Sequence, residues 1–217
     1  MAFELKGSRS ALKAEDRLAA FGLSTEVIHT ALKPGLSRAT SRTSMALRST
    51  PGTDIYHDSM EQLHSHLAEF GWQIVYVDHQ PRLLHPDGVI CFTVAAGTNV
   101  ASPDQRQIPR TSRKGKATRE SLAPPSAKLP ALFDVPEVQQ QQELSAAAEK
   151  APLWLLVHER TTRGLNLELS QPAKMTASGI VTAWKDRIII KTLDLTGDLS
   201  VFNESDDDGI DVTVEPR

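Results

Sequence analysis

The chain has 217 residues, of which 40% are hydrophobic and 24% charged, with a formal net charge of −3. These values are ordinary for a soluble globular protein with one core or two small ones. They exclude a bilayer-spanning helix, because no apolar run approaches the roughly 20 residues that requires, and the single cysteine, Cys91, excludes an intrachain disulfide.

Only 5% of the residues are aromatic, so a core has to be built from Leu, Val, Ile and Ala. Met1-Ala-Phe-Glu-Leu-Lys6 shows no basic-then-apolar leader pattern, and with one cysteine in an apolar stretch the expectation is a cytoplasmic protein with a buried thiol. The charge is unevenly spread. Residues 1–120 carry 15 Lys and Arg against 12 Asp and Glu, whereas residues 121–217 carry 9 against 15.

In chain order, Ser10 to Phe21 reads as a helix ended by Gly22, and Ser24 is placed to cap a second helix, Thr25 to Lys33, stopped by Pro34-Gly35. Gly22-Leu-Ser-Thr-Glu-Val-Ile-His-Thr-Ala-Leu32 also fits the turn and second helix of a helix-turn-helix. Glu26, His29 and Thr30 are a poor set for phosphates, however, so a plain helical hairpin is favoured. Leu36 to Thr50 is rich in Ser, Thr and Arg and reads as solvated helix or loop.

Tyr56, Met60, Leu63, Leu67 and Phe70 recur at helical spacing, which predicts an amphipathic helix that starts at Thr53 or Asp54 and ends at Gly71. Its other face carries Asp54, His57, Asp58, Glu61 and His64, read as solvated rather than metal-binding. Trp72–Asp78, Leu83–His85 and Val89–Ala96 follow as three antiparallel strands separated by turns. Pro86-Asp87 invites comparison with the PD-(D/E)xK nuclease core, but Val89–Ala96 supplies no charged residue to hold a metal.

From Thr98 to Pro130 periodicity vanishes and prolines accumulate, which reads as a long loop or linker. Within it, Arg106, Arg110, Arg113, Lys114, Lys116 and Arg119 place six cations in fourteen residues with no acid between Asp104 and Glu120. Arg38, Arg42 and Arg48 would extend that patch if the fold brought them near. Leu132–Pro136 is a candidate docking stretch, and Glu137–Lys150 reads as a helix. Leu153–His158, Leu165–Ser170, Ile180–Trp184 and Arg187–Leu193 read as four strands of a second meander, broken at Gln171-Pro172. An acidic tail follows from Asp194. No nucleotide loop, hydrolase elbow or calcium loop is present, so no cofactor and no metal is expected.

Several phrases occur in a fixed order: Gly22-Leu-Ser-x-Glu-Val, Pro51-Gly52, Leu67-x-x-x-Gly71-Trp72, His85-Pro-Asp-Gly88, Pro109-Arg-Thr111, Lys114-Gly-Lys-Ala-Thr118, Leu153-Trp-Leu-Leu156 and Trp184-Lys-Asp-Arg-Ile188. In these the chain resembles a group of uncharacterised bacterial proteins over Phe21 to Leu193. The resemblance implies a bacterial, soluble, single-chain α+β protein and brings no catalytic residue. Relatives in that group carry an acidic, glycine-rich turn after the third strand, where this chain has Ala96-Gly-Thr-Asn-Val-Ala-Ser102 without acids.

The expected fold is therefore α+β: N-terminal helices over 1–52, a central helix and antiparallel meander over 53–97, a basic Pro-rich loop over 98–136, a helix and second meander over 137–193 that joins the first sheet or stands beside it, and an acidic tail over 194–217. The leading expectation is a non-enzymatic binding or accessory protein touching DNA or RNA phosphates through Arg106, Arg110, Arg113, Lys114, Lys116 and Arg119. The alternatives are a protein-interaction or assembly factor, dimeric through a sheet edge, and then a metal-dependent hydrolase. No membrane partner is expected.

Overall fold

The structure, a computed structural model, describes residues 13–102, 104, 106–122 and 136–195. The helical stretch 13–19 (α1) is followed by α2 (Thr25–Ser41), α3 (Thr50–Ala68), β1 (Gln73–Val77), β2 (Gln80–Leu84), β3 (Cys91–Thr98), β4 (Arg110–Thr111), α4 (Lys116–Glu120), α5 (Pro136–Lys150), β5 (Leu153–Arg160), β6 (Gly164–Met175) and β7 (Val181–Asp194). This is the α+β arrangement expected. The tail beyond residue 195 and the stretch Leu132–Val135 lie outside the described residues.

Helix α2 begins as predicted, with Ser24 Oγ accepting from the Val27 amide at 3.1 Å. It does not stop at Pro34-Gly35 but runs eight residues past Lys33 to Ser41. Pro34 removes one backbone bond, a cost of about 3 kcal/mol. Continuing the helix buries Leu36 and Ala39 beside Ile28, Ala31 and Leu32, and that apolar burial offsets the loss. Gly35 is where α2 and α3 touch: a Cβ there would stand 2.8 Å from the Ile55 Cα. The residue pair that reads as a stop signal is a helix crossing.

Helix α3 starts at Thr50, with Pro51 in its first turn, a few residues before the predicted start. Met60, Leu63 and Leu67 are buried as the spacing predicts. Phe70 is 67% exposed, because the helix has ended at Ala68 and the 3.6-residue period no longer aims it. Gly71, at φ 81°, lets the Trp72 amide turn back to the Leu67 carbonyl at 3.2 Å.

The polar face of α3 is only partly solvated, which corrects the sequence reading. Asp54 and Asp58 are buried against α2. Arg42 binds Asp54 bidentately, with both contacts at 2.8 Å, and Arg38 Nε lies 3.1 Å from Asp58 Oδ2. Two of the arginines that could have extended the basic patch are thereby committed to the helix pair.

The two meanders form one sheet in the order β1-β2-β3-β5-β6-β7, with β4 added beside β3. They join through the parallel pairing of β3 with β5, from Cys91 opposite Leu153 to Ala96 opposite His158. The β1–β2 turn is tight, with Asp78 and His79 at φ 45° and 64°. At the other end, β6 passes through Gln171-Pro172 instead of breaking, and Val181–Asp194 is one long strand rather than two. Register shifts at Gln171/Pro172 and Pro172/Lys174 absorb the proline, which has no ladder donor to lose at a bulge.

Alternation along the central strands divides the core. Phe92, Val94, Trp154 and Leu156 pack with α2 and α3 residues such as Ile28, Leu32, Ile55 and Leu63. Cys91 and Leu153 pack with Ala148 and Ala151 at the end of α5 and Ala117 of α4. Ala95, Leu155 and Val157 pack with Val100, beneath the segment that follows β3. Cys91 is fully buried and its thiol points at the Ala148 carbonyl, 3.2 Å away, in keeping with the expected structural role. No described helix is long and apolar enough to cross a membrane.

Candidate functional site

The basic segment is not a free loop. Its backbone is fastened to the sheet at successive points. Trp184 Nε1 donates to the Pro109 carbonyl at 3.0 Å, Arg110 and Thr111 pair with Thr98 and Gly97, and the Lys114 amide donates to the Gly179 carbonyl at 2.7 Å. Gly97 and Gly179 make these approaches possible. A Cβ on Gly97 would stand 2.7 Å from Val157 Cγ1, and one on Gly179, which also sits at φ 85°, would collide with the Lys114 carbonyl. Farther along, the fully buried Arg82 holds α4 in place, donating to the Ala117 carbonyl at 3.0 Å, to Ser121 Oγ at 2.8 Å and to Gln80.

The six predicted contact residues consequently differ in what they offer. Arg106, Arg110 and Arg113 are exposed, and no carboxylate among the described residues pairs with them. Lys116 lies 3.4 Å from Glu120 one helical turn on, and Arg119 donates to the Ala177 carbonyl at 2.7 Å. Lys114 turns inward, where burial pushes its amine down to about 8.

Lys114 lines a cleft of about 390 Å³ between the start of α3, the ends of β3 and β5, and residues 112–115. Ser49, Gly52, Thr53, Tyr56 and His57 come from the α3 side, Thr93 to Ala96 from β3, His158 from β5, and Arg113 and Lys114 from the fastened segment. None of the lining residues is Asp or Glu. Five carry hydroxyls and four carry Lys, Arg or His side chains. The cleft is therefore a donor-rich, carboxylate-free hollow at the positive end of a 19-residue helix with no acid in its first turn.

His158 is the side chain that sequence reasoning missed. It is 3% exposed, and neither ring nitrogen has a hydrogen-bond partner among the described residues. Burial, and then the neighbouring Lys114 charge, push its pKa down to about 4, so the imidazole is neutral near pH 7 and presents one N–H and one lone pair. Its only sequence signal is its place as the first polar residue after the apolar run Leu153–Val157. Tyr56, half-buried beside it in the lining, is held above the ordinary phenol range chiefly by burial.

The helix-turn-helix reading is not supported by the placement of α2. His29 Nε2 is 2.7 Å from the Lys191 carbonyl of β7, and Glu15 of α1 accepts from the Thr25 amide at 3.1 Å. Of the side chains that would read a groove, His29 is thus held against the protein's own strand while Glu26 and Thr30 stay exposed, as on a helical hairpin packed on a sheet. Among the described residues no group of three or more His, Cys, Asp or Glu side chains is arranged to hold a metal ion. No protein-family profile, curated protein or solved structure matches the chain.

Proposed function

We propose that this is a binding protein that contacts nucleic-acid phosphates through the face carrying Arg106, Arg110 and Arg113, with Lys116 and Arg119 at its border. The observation that carries the reading is that these three guanidinium groups are exposed and unpaired, and that the backbone carrying Arg110 and Arg113 is already fastened to the sheet. Holding the contacts on a fixed segment lowers the ordering cost of binding, which a mobile loop would incur in full. Contacts of this kind are blind to sequence and weaken with salt. Fluorescence-anisotropy titration of the full chain against labelled single- and double-stranded DNA and RNA tests it. Binding that falls at least tenfold in the Arg106→Gln, Arg110→Gln, Arg113→Gln triple variant supports the reading, and equal binding by that variant removes it.

One observation favours a second reading, a protein-interaction or assembly factor. Met45 and Leu47 are 90% and 75% exposed in the turn between α2 and α3, close in sequence to the cleft residue Ser49. Large apolar side chains displayed next to one another in a soluble protein commonly mark contact surfaces. A chain that binds no nucleic acid but loses self-association, or capture of a protein partner, on Met45→Ser, Leu47→Ser replacement belongs to this second class.

A further inference from the structure

The cleft carries an inference that shares only Arg113 with the surface arginines. We propose that it is a seat for the terminal phosphate of a phosphomonoester, the dianionic group common to inorganic phosphate, nucleotides and phosphorylated nucleic-acid ends. The seat has three parts, contributed by three distant stretches of chain.

At the start of α3, Ser49 makes no side-chain cap bond. The Thr50 and Thr53 amides are taken by the Leu47 and Ser49 carbonyls, and Pro51 has no N–H. The Gly52 amide is thus left as the unused donor of the first turn, since it makes no hydrogen bond among the described residues. A free amide at a helix N-terminus favours an anion through both its N–H and the helix dipole. Across the cleft Lys114 and Arg113 supply the cations, Lys114 from a largely desolvated position where an ion pair is stronger than at the surface. The third part is His158, buried on the cleft wall with both ring nitrogens unpartnered. A buried imidazole with nothing to bond to is costly unless a ligand completes it.

The donor set selects among anions. A carboxylate has two oxygens for an amide, an ammonium, a guanidinium and an imidazole N–H, whereas a terminal phosphate has three and a second negative charge. A phosphodiester has one charge and two substituents, and fits the open face of the arginines better than the hollow. The absence of any carboxylate from the lining leaves that second charge without a repulsive neighbour. The volume of about 390 Å³ exceeds what a phosphate alone fills. It lies within the range of small-ligand sites, and the Tyr56 ring is available to the remainder of the molecule.

The test is calorimetric titration of the full chain at low salt with inorganic phosphate, adenosine monophosphate and adenosine. One phosphate compound is expected to bind per chain and adenosine not to bind. Lys114→Met and His158→Gln are each expected to weaken affinity at least about tenfold, the size of one charge-assisted hydrogen bond, while Lys150→Gln on α5 leaves it unchanged. No phosphate compound binding below about 10 mM, adenosine binding as well as its monophosphate, or unaltered affinity in both variants overturns the proposal. Should the variants not fold, the ring nitrogen resonances of His158 in the wild-type chain decide it: they move on adding phosphate, or the seat is not there. Comparing an end-phosphorylated oligonucleotide with the nucleotide identifies the source of the group. An oligonucleotide bearing only hydroxyl ends reads the surface arginines alone, so failure of either proposal is seen separately.

Discussion

Acidification gives a direct reading of His158. Its pKa lies at about 4 in the folded chain against the usual 6.5, because the charged ring would be stripped of water and set beside Lys114. The folded state therefore binds this proton less well than the unfolded state does. The contribution to stability is complete above about pH 6.5 and is lost as the pH falls toward 4. At 1.36 kcal/mol per pH unit of displacement, the whole loss is roughly 3 kcal/mol, and about 2 kcal/mol of it has gone by about pH 5. Urea denaturation followed by circular dichroism at about pH 7 and about pH 5 measures this for the wild type and for His158→Gln, which keeps the approximate shape without the titration. The wild type is expected to lose about 2 kcal/mol more than the variant over that interval. Lys114→Met, which removes the nearest positive charge, reduces the loss by letting the ring titrate at higher pH. Parallel wild-type and His158→Gln stabilities across the interval would refute the burial argument, and with it the view that this imidazole is waiting for a partner.

Gly35→Ala inverts the usual benefit of alanine in a helix: the added methyl group meets the Ile55 Cα and Asp54 carbonyl, and thermal unfolding is expected at a lower temperature, by about 1–3 kcal/mol of overpacking. Gly179→Ala strains the turn and pushes against the Lys114 carbonyl. It is expected to weaken phosphate binding in calorimetry while the far-ultraviolet dichroism stays that of the wild type. Arg82→Met removes the bonds to Gln80, Ala117 and Ser121 but also a desolvated charge. These effects oppose each other in global stability. The clear signature is local: amide exchange over 116–121 is expected to accelerate more than exchange in β3 or β5.

The legible parts of this chain were those dominated by local pattern. The apolar spacing of α3, the strands β1 and β3 and the clean alternation of Leu165, Leu167 and Leu169 were visible because each is set by residues near one another in sequence. Strand β2, by contrast, begins at Gln80, three residues before the predicted Leu83, because Gln80 to Arg82 pair with Val77 to Val75. What misled was punctuation overruled by tertiary contacts. Pro34-Gly35 signals a helix end, yet burying Leu36 and Ala39 extends the helix, and Gly35 is needed for its contact with α3 rather than as a cap. Pro172 signals a break, yet a bulge accommodates it within β6. The basic stretch was legible as charge but not as geometry. Only the approach of Gly97 and Gly179 shows that its backbone is anchored and that Lys114, alone of the six, is turned inward. The cleft was not legible at all, because Gly52, Lys114 and His158 are separated by dozens of residues and meet only when β3 and β5 pair.

The central claim, that the fastened basic face binds nucleic-acid phosphates, is tested most directly by the salt dependence of oligonucleotide binding. The logarithm of affinity for a labelled duplex or single strand, followed by anisotropy against the logarithm of salt concentration, is expected to fall linearly in the wild type. In the Arg106, Arg110, Arg113 triple glutamine variant the slope is expected to be shallower by about 3, close to one for each phosphate contact removed. A wild-type affinity indifferent to salt, or a variant with the wild-type slope, would contradict the account.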